Sequence, residues 1–259
     1  MTKKKKNIYI VGDSHMGELS KALALEPEIS KYNLFKLIKT GCYYVYGFDK
    51  VQKFSNKIQN YCSKKTQEDR RENILSEKDP IVILGGRLDM YVLGKRYNNG
   101  EGQDEGREWW IFNNPHNLSI EEGVKKSIED LLFNDVKIIL IYPIPAVGFD
   151  INKKIFDRFI YNKNSFNEDL EDRPITTDYN NYIKYSKKSY EILNNINHPN
   201  LYKIYSDKLF CNSKIKNRCL LHDSNHTFYL DNNHLSYYGN KILSKIVIKK
   251  IQEIEKKSN

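Results

Sequence analysis

At 259 residues the chain is long enough to bury a substantial core, either as one large α/β domain or as two small ones. No apolar run approaches the ~18–20 residues of a membrane span, and the four lysines of residues 3–6 lead straight into a short strand rather than a secretory leader, so the polypeptide reads as soluble. The net charge of +9 comes from lysines scattered among Asn, Ile and Tyr, without a zinc-finger, RNA-binding or helix-turn-helix signature, and nucleic acid is not an expected partner.

Residues 7–11 are β-branched or aromatic and uncharged after Asn7, which predicts a buried strand that stops at Gly12-Asp13-Ser14-His15. Residues 16–25 follow with Met16, Leu19, Leu23 and Ala24 near helical spacing. Ser14 then lies in a tight strand-to-helix turn at the carboxyl end of a strand, where open α/β sheets place their ligands. The first N–H groups of such a helix are free to bind an oxyanion. The plain alternative is an ordinary turn with Asp13 or Ser14 as helix cap, and His15 packing or capping beside it.

Residues 32–39 predict a second strand that ends at Thr40-Gly41-Cys42. A polar helix over 66–78 precedes Pro80, and "IVILGG" at 81–86 reads as a fully buried strand. Residues 89–116, rich in Gly and Asn and holding Trp109 and Trp110, read as a long excursion or lid. Ser119 and Glu122 form a capping box that opens a helix to about residue 134. Residues 136–145 are the next central strand, closed by two prolines; 149–174 are charged, aromatic and without clear periodicity, hence an insertion. A helix over 178–196, a strand over 201–206 and a last helix over 236–256 complete the chain. Strands alternating with helices predict a parallel sheet covered on both faces. The expected division is a basic tail or linker remnant at 1–6 and a single domain at 7–259, with insertions near 89–116 and 149–174.

Four cysteines allow three pairings. Free buried thiols, two local disulfides, and a metal site that joins Cys219 to His222 and His226 all stay open on spacing.

A second block, "FYLDNNHLSYYG" at 228–239, supplies what a serine nucleophile needs. A Ser hydroxyl reacts poorly until a base takes its proton, and the base must be held in the right tautomer. Asp231 lies three residues before His234, close enough in one turn to accept from Nδ1–H and aim Nε2 outward. The plain alternatives are a turn residue for Asp231 and a polar helix start for His234.

"GDSH" after the first strand and "DNNHLS" before the last helix resemble the first and last blocks of the SGNH (GDSL-like) hydrolase superfamily. More narrowly, the chain is similar to the SGNH domain fused to membrane acyltransferase-3 proteins that O-acetylate bacterial surface polysaccharides. Gly41-Cys42, Leu84-Gly85-Gly86-Arg87, Gly239 and the Cys211/Cys219 pair fit that subgroup in order. The resemblance implies a flavodoxin-like three-layer α/β/α fold with Ser14 as nucleophile, His234 as base and Asp231 as its orienting acid. It implies an oxyanion hole from the N–H groups of Ser14 and Gly41, with Gly86 a further candidate, and Cys42–Cys62 and Cys211–Cys219 disulfides. Many relatives carry an Asn after the third strand; this chain has Arg87 there, either a substrate contact or a structural ion pair. Trp109 and Trp110 are candidates for a sugar platform.

The function so implied is transfer of an acyl group, acetyl first of all, to a sugar hydroxyl, without metal or organic cofactor. The alternatives are a carbohydrate or lipid esterase and a non-catalytic glycan-binding domain. Expected partners are an acyl donor, a glycan acceptor and a membrane acyltransferase domain in cis or in trans. The location is periplasmic or extracytoplasmic if the chain belongs to such a protein, and cytoplasmic if it is complete as given.

Overall fold

A computed structural model describes residues 5–161 and 170–258. Its centre is a parallel sheet of five strands: β1 (Asn7–Gly12), β2 (Asn33–Ile38), β4 (Ile81–Gly85), β6 (Lys137–Ile141) and β8 (Leu201–Ile204), in the order β2-β1-β4-β6-β8. β1 and β4 are buried along their whole length, as a central strand covered on both faces must be. Alternation divides their side chains between two cores. Ile8, Ile10, Ile81 and Ile83 enter the core under α1 (Ser14–Leu23) and the C-terminal helix α8 (Tyr237–Ser258), with Leu19, Leu243 and Val247. Tyr9, Val11, Val82 and Leu84 enter the opposite core, with Val124, Ile128 and Leu131 of α4 (Ile120–Phe133). Helices on both faces of a parallel sheet give the expected three-layer architecture. The capping box at Ser119 and Glu122 forms as read.

Two features add to the sequence reading. The segment read as an insertion without clear periodicity begins with a helix, α5 (Ile151–Tyr161), whose Ile151 and Ile155 are buried at i, i+4 spacing; residues 162–169 lie outside the described residues. The 89–116 excursion is anchored by a small antiparallel ribbon: β5 (Trp110–Asn113) pairs with β3 (Asp49–Gln52), a strand that the sequence did not announce. Further along, β7 (Thr176–Asp178) pairs with β9 (Arg218–Leu220). Cys42–Cys62 and Cys211–Cys219 are both disulfide-bonded, as the family resemblance implied. Among the described residues, no helix is long and apolar enough to cross a membrane.

Candidate active site

The turn after β1 is built around two glycines and one buried carboxylate. Gly12 has φ +147°, and a Cβ on it would overlap the Gly85 carbonyl oxygen of the neighbouring strand. That leaves room for the chain to turn sharply into α1, with Asp13 as N-cap and Ser14 as the first helical residue. Asp13 Oδ1 accepts from His15 N–H at 3.0 Å, and Oδ2 accepts from Arg87 N–H at 2.8 Å. One carboxylate therefore locks the β1 turn to the β4 turn. Gly86, with φ +141°, gives it space: a Cβ there would lie 2.7 Å from Asp13 Oδ2.

The second half of the site arrives from the loop before α8. His234 Nε2 lies 2.8 Å from Ser14 Oγ, and His234 Nδ1 lies 2.7 Å from Asp231 Oδ2. The other Asp231 oxygen accepts from the backbone N–H groups of Asn233 (2.9 Å) and His234 (2.8 Å). Burial alone would raise the Asp231 carboxyl, but these hydrogen bonds from the imidazole and two amides outweigh it and hold the group well below the usual carboxylate range. An ionised carboxylate can only accept, so Nδ1 carries the imidazole proton and Nε2 is left to accept from the Ser14 hydroxyl.

His15 packs edge-on to His234, with ring centroids 5.0 Å apart, and its Nε2 bonds Asn233 Oδ1 at 2.9 Å. Burial holds this imidazole well below its usual range, so His15 stays neutral beside His234. It acts as packing that fixes the base loop through Asn233, a residue that the sequence reading passed over. Neither His222 nor His226 reaches the serine. His222 Nε2 accepts from Ile175 N–H at 2.8 Å, and His226 stacks on Tyr238. The metal alternative loses the Cys219 thiolate to a disulfide.

Ser14 N–H, as the first of its helix, has no intrahelical acceptor, and Gly41 N–H meets no acceptor among the described residues. Two buried cations that the sequence reading missed hold the Gly41 loop. Lys50 Nζ donates to the Gly41 carbonyl at 2.6 Å and sits against the rings of Tyr91 and Trp110. Burial pulls its ammonium down to about 8 despite the attraction of Glu108 and Asp13. Arg70 donates to the carbonyls of Gly12 (3.1 Å) and Cys42 (3.2 Å), bridging the two loops that would flank an oxyanion. Nothing periodic marks either residue: Lys50 lies in a four-residue strand, and Arg70 on a helix of low amphipathicity.

The remaining candidates separate. The half-buried Arg87 side chain forms an ion pair with Glu105 at 3.0 Å, which favours its structural reading. Trp110 lies on the inner face of the ribbon, its ring 6.0 Å from Lys50 Nζ. Trp109 points the other way, half exposed against Phe54. The two tryptophans named together from the sequence thus lie on opposite faces of the ribbon. Beside the triad, a polar cleft of about 740 Å³ is lined by Asn99, Phe149, Lys153, Arg218, Asp231 and Asn232, among others.

Comparisons with known proteins bear on the family and the fold. A family model described as the SGNH domain (fused to AT3 domains) matches residues 1–249. No curated protein sequence matches the chain. A GDSL-like lipase from Bacteroides thetaiotaomicron superposes with a TM-score of 0.51 at 12% identity, over 96% of this chain and 89% of its own. An acetyl xylan esterase aligns over 95% of this chain and 99% of its own at 15% identity, with a TM-score of 0.42. At such identities the first likeness speaks for the fold, and the family match speaks for descent. The chain belongs to the SGNH hydrolases, in the family described as fused to AT3 domains, and is an SGNH-type enzyme of the esterase or acyl-transfer kind.

Proposed function

We propose that the protein transfers an acyl group, acetyl first of all, to a sugar hydroxyl of a surface polysaccharide through a covalent ester on Ser14. The observation that carries this reading is the continuous chain from Asp231 to His234 to Ser14 Oγ, with bonds of 2.7 and 2.8 Å. In the first half-reaction His234 takes the Ser14 proton as Oγ attacks the acyl carbonyl, and the oxyanion is met by the N–H groups of Ser14 and Gly41. The tetrahedral intermediate collapses, the leaving oxygen receives the proton from His234, and acyl-Ser14 remains. In the second half an acceptor hydroxyl loses its proton to His234, attacks the ester and regenerates the serine. Asp231 keeps its charge throughout and stabilises the imidazolium.

Two disulfides support an extracytoplasmic setting, because thiols stay reduced in most cytosols. A membrane acyltransferase, fused or separate, fits as the source of acyl groups. Water and a sugar hydroxyl compete for the same acyl-enzyme. Transfer wins when the acceptor is held in place, since good orientation is worth effective molarities of ~10⁵ M or more. The expected result is slow hydrolysis of small acetyl esters by the domain alone, with the acetyl group diverted to the correct glycan when it is added. Fast hydrolysis of acetylated glycans, without transfer to any acceptor, would turn the reading to the esterase.

A further inference from the structure

The β3–β5 ribbon has two faces of different character. Lys50 stands opposite Phe112, and Gln52 opposite Trp110. Lys50, Trp110 and Phe112 face inward, where Lys50 holds Gly41 and Phe112 packs on Tyr91. Alternation puts the Asp49–Asn113 and Val51–Ile111 pairs on the other face, with Ile58 bridged to Val51 and Trp109 two residues before Ile111. A ribbon packed on one side ordinarily shows polar residues to water on the other. Here Asp49 and Asn113 do so at one end of the outer face and Val51 is buried, while the end at the turn is apolar and open: Phe54, in the turn that follows β3, is 73% exposed and tilts against Trp109, itself 49% exposed, beside the exposed Ile58.

Lys53 and Lys57 flank Phe54 in that same turn, and Arg107 lies two residues before Trp109. All three are exposed, and none has an ion-pair partner among the described residues, whereas Lys64 and Lys65 on the next helix are each paired to a carboxylate. An aromatic tip in a collar of unpaired cations matches an interface that is apolar inside and anionic at its rim. A neutral sugar would leave the cations unused. A tip that projects, rather than a groove that encloses, suits a fluid partner better than a shaped one.

We propose that the turn end of the ribbon docks on an anionic lipid surface, with Phe54 and Trp109 entering the interfacial layer and Lys53 and Lys57 meeting the headgroups. Because the inner face of the same ribbon grips Gly41, docking would hold the triad side of the molecule near the bilayer. The inference does not depend on what Ser14 does.

The chain has two tryptophans, so Trp110→Phe leaves Trp109 as the sole tryptophan, excited selectively on the red side of tyrosine absorption. With phosphatidylglycerol vesicles its emission is expected to shift to the blue and the protein to sediment with the lipid; phosphatidylcholine vesicles should give neither. Lys53→Gln with Lys57→Gln should weaken the partition coefficient roughly 30-fold, and Phe54→Ser roughly tenfold or more. Thermal melts of these surface variants should match the parent, which separates lost docking from lost folding. The proposal is overturned by absence of sedimentation with phosphatidylglycerol, by sedimentation that Phe54→Ser leaves unchanged, or by a Trp109 shift with the acidic polysaccharide polygalacturonate and not with vesicles.

Discussion

Two aspartates in this molecule do the same local thing and end in different roles. Asp13 and Asp231 each use one carboxylate oxygen to bind backbone N–H groups two or three residues ahead, closing a tight turn. The difference lies in the second oxygen. That of Asp13 goes to the Arg87 amide and ties one strand-end turn to another inside the protein. That of Asp231 goes to the His234 imidazole at the rim of a cleft, with the Asp231 side chain 41% exposed. Placement of the partner, and not the residue type or its turn, divides scaffold from chemistry.

The division is broken or sharpened most strongly by removing each second partner. Asp231→Asn keeps the turn but cannot hold the Nδ1–H tautomer, and turnover of an aryl acetate should fall roughly 10²–10⁴-fold with little change in melting temperature. Asp13→Ala leaves the His15 and Arg87 amides without acceptors in a buried site and should cost about 2–4 kcal/mol, read as a lower melting temperature. If Asp13→Ala melted like the parent while Asp231→Asn unfolded, the assignment would be reversed.

The Cys42–Cys62 disulfide supports the same clamp, because Cys42 follows Gly41 and its carbonyl accepts from Arg70. Its ends are 20 residues apart, so Cys42→Ala with Cys62→Ala should cost ~3 kcal/mol and lower turnover as well. The equivalent change at Cys211–Cys219 closes a loop of only 8 residues and should cost less, with turnover kept in the protein that stays folded.

The smallest effect concerns a third carboxyl. Asp89 is buried with Oδ1 unpartnered, and burial raises its carboxyl to about 7, the Arg87 charge offsetting only part. An unfolded Asp titrates near ~3.9. Between these values the folded state binds more protons, so stability should decline as pH rises from about 4 to about 7 and level off above. Denaturant melts of Asp89→Asn should lack that decline and show a gain on the order of 1–3 kcal/mol at pH 8. Asp231 has the opposite sign. Its lowered carboxyl contributes stability that is present above the unfolded value and is lost only as pH falls below it.

The parallel sheet was legible because its strands are short apolar runs between glycines and prolines, a local signal. The triad was legible because both of its blocks are compact and each needs only its own few residues to be read. The ribbon was not. "DKVQ" has too few apolar residues to announce a strand, and its partner lies some 60 positions away, so its pairing is set by tertiary contact. For the same reason Lys50, Arg70 and Asn233 went unread: each acts through a neighbour that only the fold supplies. Arg87 was half-read; its position marked the block, while Glu105, which fixes its role, lay inside the excursion.

The central claim is that His234 activates Ser14, and covalent labelling tests it most directly. A serine-directed fluorophosphonate followed by peptide mass spectrometry should give one adduct, on Ser14, absent from Ser14→Ala and slowed by orders of magnitude in His234→Ala. Label retained in Ser14→Ala, or undiminished labelling in His234→Ala alongside loss in His226→Ala, would contradict it.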